Sequence, residues 1–164
     1  MADFEKLEAG LLDTLTVLKD VLRSELACNR IEAFELLLKQ IVTIPIQVKN
    51  DLLTVKMPAP EIFFYHKAIT FVMRSAKFKR DKDLFYAYFI LKFHPDRQAL
   101  VKALDGMEKD EYFKAFQENI REYLSDLSSP GYLILRPFLH GWIEEGKINA
   151  DIQSTFSEIL DLIR

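Results

Sequence analysis

A single cysteine, Cys28, is all the chain contains. One thiol excludes an internal disulfide, and it cannot alone build a cysteine-based zinc cage. A lone cysteine fits a reducing compartment. Glycine (5) and proline (6) are scarce among 164 residues. Their scarcity argues against a turn-rich β fold and for long helices. The glycines at 10, 106, 131, 141 and 146 are too scattered to form a phosphate-cradling loop. No apolar run approaches the roughly 18 residues of a membrane span. The stretch MADFEKLEAGLLDTL carries acids where a secretory signal needs a basic start and an apolar run. Net charge is small, −3, with a pI near 5.7. Bulk attraction to nucleic acid is therefore not expected, nor is disorder, since 49% of residues are hydrophobic. The expected compartment is the cytoplasm, with access to the nucleus.

The signatures of catalysis are missing as well. His66, His94 and His140 stand far apart and in no metal-ligand spacing such as HExxH. There is no GxSxG and no nucleophile context around Cys28. Glu144 and Glu145 adjoin each other near a helix end and read as a solvated terminus. His94, before Pro95, suits a helix end where a ring nitrogen meets backbone groups. The expectation is a non-enzyme with no catalytic residue, no metal and no cofactor.

What is present is helical periodicity. Leu7, Leu11, Leu15, Leu18, Leu22 and Leu26 recur every three or four residues, after a capping Asp3. A second helix is expected from Arg30, with Ile31, Phe34, Leu38, Ile41 and Val42 on its buried stripe. The next stretch, QIVTIPIQVKNDLL, fits neither period cleanly. Val42, Ile44, Ile46 and Val48 alternate as in a strand. Pro45, however, lacks an N–H and ends or kinks a helix. The proline rule favours a broken helix there, with Ile46, Asn50 and Leu53 on a short third one. A hairpin between Val42 and Met57 is the competing outcome.

Further helices are expected from EIFFYHKAITFVMRS and from DKDLFYAYFILKFH, the latter capped by Asp81 or Asp83. Asp96 caps a helix that closes at Gly106. KDEYFKAFQENIREYLSDL follows, then a helix opened by Ser129 and Pro130 with a kink at Pro137. The last is capped at Asn149 or Asp151. The expected fold is all-α: an irregular bundle or HEAT-like solenoid of about eight helices in one domain, 1–164.

Two features stand above this background. Ten of the chain's aromatics lie between Phe63 and Phe93. Phe85, Tyr86, Tyr88 and Phe89 span too much of a helix circumference for one buried face. The expectation is a central, covered helix, with Phe63, Phe64, Phe85, Tyr86 and Phe89 mainly in packing. A contact flank is the alternative. The second feature is RSAKFKRDK, where Arg74, Lys77, Lys79, Arg80 and Lys82 stand out in an acidic chain. They are either a solvated helix end whose charges complement the dipole or a patch for an acidic protein partner. Asp81 and Asp83 dilute the patch and argue against nucleic acid.

LLLKQIVTIPIQVKNDLL, PEIFFYHKAITFVMRS, YFILKFHPDRQALVKAL and REYLSDLSSPGYLILRPFLHGW resemble successive helices of one known array. In helix order and apolar pattern, residues 35 to 145 resemble the amino-terminal helical solenoid of the telomere-length-regulation protein family. That family supplies the Tel subunit of the Tel–Tti–Tti co-chaperone complex. The resemblance implies a scaffold without enzyme activity. Its implied partners are Tti subunits and a heat-shock chaperone, in the maturation of phosphatidylinositol-kinase-like kinases. A different reading is a heme-free globin-like sensor that holds a hydrophobic ligand in its aromatic core.

Overall fold

Pro60 and Pro130 each open a helix, Asp96 and Asp110 cap two more, and Gly106 closes one. The computed structural model describes residues 33–49 and 51–164. The leucine-striped helix expected over 7–26, Cys28, the start of the second expected helix at Arg30, and Asn50 lie outside the described residues. In order, the elements are α1 (Phe34–Leu38), β1 (Ile41–Val48), β2 (Asp51–Pro58), α2 (Pro60–Thr70), α3 (Lys77–Phe93), α4 (Arg97–Asp105), α5 (Glu111–Leu124), α6 (Pro130–Leu139) and α7 (Ile148–Leu162). Short 3-10 turns follow α2 (Phe71–Met73) and precede α7 (Glu145–Lys147).

The chain is thus mostly helical, with a small two-stranded sheet. Where the break at Pro45 was expected to join two helices, β1 and β2 form an antiparallel hairpin. The helix expected to run to Ile44 stops at Leu38, and Ile41 and Val42 are strand residues. The register explains why Pro45 is tolerated. Ala59 N donates to Gln40 O at 3.0 Å, so the even-numbered residues of β1 form the hydrogen-bonded pairs. Pro45, opposite Thr54, falls at a non-hydrogen-bonded pair, where no N–H is required by the partner strand. Between Val48 and Asp51 only two residues connect the strands, and Lys49 takes the left-handed conformation (φ 55) that tight hairpin turns demand.

The helices meet around a core of Phe64, Ala68, Ile69, Leu84, Leu91, Leu104, Phe116, Ile120 and Ile152, each fully buried. Rings pack on rings: Phe116 meets Phe64 edge-on at 6.0 Å and Tyr65 at 5.3 Å, and Phe71 meets Tyr123 edge-on at 4.8 Å. Such pairs add about 0.5–1.5 kcal/mol beyond area burial. The last helix, α7, returns to pack on α3, α4, α5 and α6. Late helices thus touch earlier ones.

Several boundaries depart from expectation. Helix α3 begins at Lys77 behind Ala76, not at Asp81 or Asp83. Helix α7 begins at Ile148, so Asn149 and Asp151 lie inside its first turn. Ile148 is fully buried, and Lys147 before it offers no side-chain cap. Helix α6 continues past Pro137 to Leu139, so the proline lies inside the helix.

Candidate contact surface

Helix α3 is apolar on two sides. Inward it buries Leu84, Ala87, Tyr88 and Leu91. Outward, at spacings of three and four residues, run Phe78, Lys82, Phe85, Tyr86, Phe89 and Phe93. Phe78 is 69% exposed and Phe93 57%, while Tyr86 and Phe89 are exposed at about the 40% level. Tyr86 and Phe89 therefore do not serve mainly in packing, as their density suggested. Phe63 and Phe85 are half-buried, and Phe64 is core.

The stripe continues onto its neighbour. Phe85 stacks on Phe138 of α6 at 4.9 Å with 13° between ring planes. It also meets Trp142, just after α6, edge-on at 6.1 Å. Phe89 and Phe93 sit 4.6 Å apart. Trp142 is 66% exposed. The result is a ridge of touching rings open to water, which water alone disfavours at about 25 cal/mol per Å².

The basic run lies at the start of this ridge, at the amino terminus of α3. Lys77, Lys79 and Arg80, in its first turn, therefore oppose the helix dipole instead of complementing it. No acidic residue stands in that first turn, and Ala76 offers no side-chain cap. The five cations do not act alike. Lys77 and Arg80 border an open cavity of about 570 Å³, whose apolar wall includes Phe78, Tyr123, Leu133, Pro137 and Phe138. Arg80 Nε also reaches Asp81 at 3.2 Å. Lys82 Nζ stands 5.9 Å from the Phe78 ring centre and 5.8 Å from that of Tyr86. Lys79 is exposed. Arg74 turns inward, its Nε 2.9 Å from Asp83.

Asp83 anchors the back of the ridge. It is 4% exposed and holds both Arg74 and the buried Lys67, whose Nζ is 2.8 Å away. Lys67 also lies 5.3 Å from the Phe63 ring centre. This triad ties α2, the turn after it, and α3. Farther along, Tyr88 donates to Asp151 of α7 at 2.5 Å, and Lys92 pairs with the same carboxylate. Burial first, and Asp151 second, push the Tyr88 phenol well above the usual tyrosine range. The ridge is thus mounted on a helix fixed at both ends.

In the aromatic core behind it, Phe64, Phe71, Phe116 and Phe156 are at most 1% exposed. His94 ends α3 with Nδ1 against the Asp96 backbone, and His140 is exposed after α6. Glu144 pairs with Lys147 at 2.6 Å and Glu145 with Arg136 at 2.7 Å. Among the described residues no three His, Cys, Asp or Glu side chains gather as a metal site, and no helix is long and apolar enough to cross a membrane. Comparison with protein-family models, curated proteins and solved structures returns no match to this chain.

Proposed function

We propose that this chain is a non-enzymatic helical adaptor that grips a protein partner with the outward face of α3. The observation that carries the reading is the exposed ring ridge of Phe78, Tyr86, Phe89, Phe93 and Trp142. Aromatic residues and arginine dominate the energetic centres of protein interfaces. A ridge of this kind, rigidly mounted from behind, is already organised for binding and loses little entropy on contact. Lys77, Lys79, Arg80 and Lys82 make the approach electropositive, while Arg74, expected with them, is turned inward to Asp83. The fitting partner presents apolar anchors flanked by acidic residues.

The finer identity of the partner comes from the family resemblance. With residues 41–58 in a hairpin, that resemblance rests on the helices from Pro60 onward. It proposes Tti subunits, a heat-shock chaperone and large kinases as companions, in the cytoplasm with access to the nucleus. The test is affinity purification of the tagged chain from its own cells, with mass spectrometry. Phe89→Ser combined with Trp142→Ser should lose the main companion by about tenfold or more, with circular dichroism unchanged. Charge reversal of Lys77, Lys79, Arg80 and Lys82 to Glu should do the same. Identical companions for all variants would remove the ridge from consideration. An eluate of other proteins would retain the adaptor and discard the family assignment.

A second reading is favoured by the cavity beside Lys77 and Arg80. It is a sensor for a lipid-like acid, whose tail meets Phe78 and Phe138 and whose head meets the cations. Thermal stabilisation by long-chain fatty acids would single it out.

A further inference from the structure

The cavity and the ridge are built in part from the same residues. Lys77, Phe78 and Arg80 border the cavity. Phe78 is also the first ring of the ridge, 69% exposed, with Lys82 Nζ 5.9 Å from its centre. On the α6 side, Phe138 lines the cavity and stacks on Phe85 at 4.9 Å. Phe85 in turn meets Phe89 and Trp142, each at 6.1 Å. A chain of touching rings thus runs from the cavity wall to the exposed contact surface.

The cavity has the size and the lining of a small-molecule site. Its volume of about 570 Å³ falls within the roughly 300–1,000 Å³ of such sites. The wall of Phe78, Ile134, Pro137 and Phe138 suits a hydrocarbon chain. The charged groups beside it are Lys77, Arg80 and Asp81. Asp81 is already held by Arg80 Nε at 3.2 Å. One positive charge is left in excess at the wall, and a single carboxylate balances it.

We infer that a long-chain carboxylate seated in this cavity displaces the protein partner from the ridge. This coupling rests on both the adaptor reading and the cavity reading, and it joins them in one device. A partner that buries Phe78 and pairs with Lys77 and Arg80 uses the side chains that the acid's tail and head also need. One ring face cannot be buried against both. By linkage the antagonism is reciprocal: the acid weakens the partner by the factor with which the partner weakens the acid. Loss of one aromatic anchor costs an interface about tenfold in affinity. The expected coupling is of that size, since Phe89, Phe93 and Trp142 remain available to the partner.

Dodecanoate, kept below the concentration at which it forms micelles, is the probe. Thermal unfolding of the purified chain reports its binding. Beads that carry the tagged chain with its companion from cells report release. Dodecanoate should raise the melting temperature and, over the same concentrations, release the companion. Dodecanol, which lacks the carboxylate, should release far less. Leu133→Trp places the effect in the cavity, because Leu133 lines it, is 71% exposed and stands outside the ridge. That variant should keep its companion in dodecanoate. Equal release from the variant and the wild type would be a detergent effect and would overturn the inference. A wild-type companion that stays bound while dodecanoate saturates the chain overturns it too, and leaves both readings standing. No thermal shift with dodecanoate removes the cavity reading and the coupling with it. No companion above the control beads removes the adaptor reading and, equally, the coupling.

Discussion

At Gly131 an added Cβ would stand 2.3 Å from the Tyr123 carbonyl oxygen and 2.8 Å from Leu124 Cδ2. The first contact is backbone, which cannot swing away, so α5 and α6 would have to part. Gly131→Ala is expected to destabilise the fold by about 1–3 kcal/mol, the usual cost of overpacking. Urea denaturation should show a lower midpoint at unchanged slope, and an unshifted midpoint would mean that the helices separate freely there. Asp83 poses the opposite problem, a group whose loss strands its neighbour. Asp83→Asn leaves Lys67, 9% exposed, without its carboxylate. The expected loss is about 3 kcal/mol or more. Lys67→Met together with Asp83→Leu should recover most of it, since the pair exists to neutralise itself in a dry place. If the double variant were as unstable as Asp83→Asn, Arg74 would be the partner that matters.

At the scale of elements, the hairpin shows where local rules compete. Pro45 sits where the ladder needs no donor, so Pro45→Val should leave helix content and thermal stability nearly unchanged while opening the β1 edge. Light scattering on warming should rise in the variant, and equal scattering would show that the proline guards nothing. The alternation of Val42, Ile44, Ile46 and Val48 was legible in the sequence. The proline rule outweighed it because a sequence does not show which strand positions bear hydrogen bonds. The helices from Pro60 onward were more legible, since Asp96, Gly106 and the Ser129–Pro130 step mark boundaries with local chemistry. The outward ridge was not. Phe89 and Leu91 have the same hydrophobic weight in a periodicity. Only the positions of α2, α6 and α7 decide that one is exposed and the other buried. The basic run was legible as a cluster. Its division into Arg74 facing Asp83 and Lys77 facing a cavity needed the fold.

For the molecule as a whole, three tyrosines in three different helices make folding sensitive to alkali. Tyr65 in α2, Tyr88 in α3 and Tyr132 in α6 all have pKa values raised above the ordinary 10.0, with burial as the first cause in each. Nearby carboxylates add to it: Asp110 for Tyr65, Asp151 for Tyr88 and Asp126 for Tyr132. A raised folded-state pKa means that these phenols stay protonated in the fold while the unfolded chain already loses its protons. The stabilisation they contribute is complete below the ordinary tyrosine value and is lost as pH climbs toward the raised one. Each such tyrosine weakens the fold by up to about 1.4 kcal/mol per pH unit in that window. Urea midpoints should therefore be steady from about pH 8 to about pH 9.5 and then fall toward about pH 11. Lysines titrate in the same range, so the decisive comparison is with Tyr88→Phe. That variant loses the bond to Asp151 and should be weaker at neutral pH, yet its stability should fall less steeply above pH 10.0. Equal slopes for the two proteins would mean that Tyr88 ionises as readily inside the bundle as in water, and that α3 and α7 part enough to let hydroxide reach it.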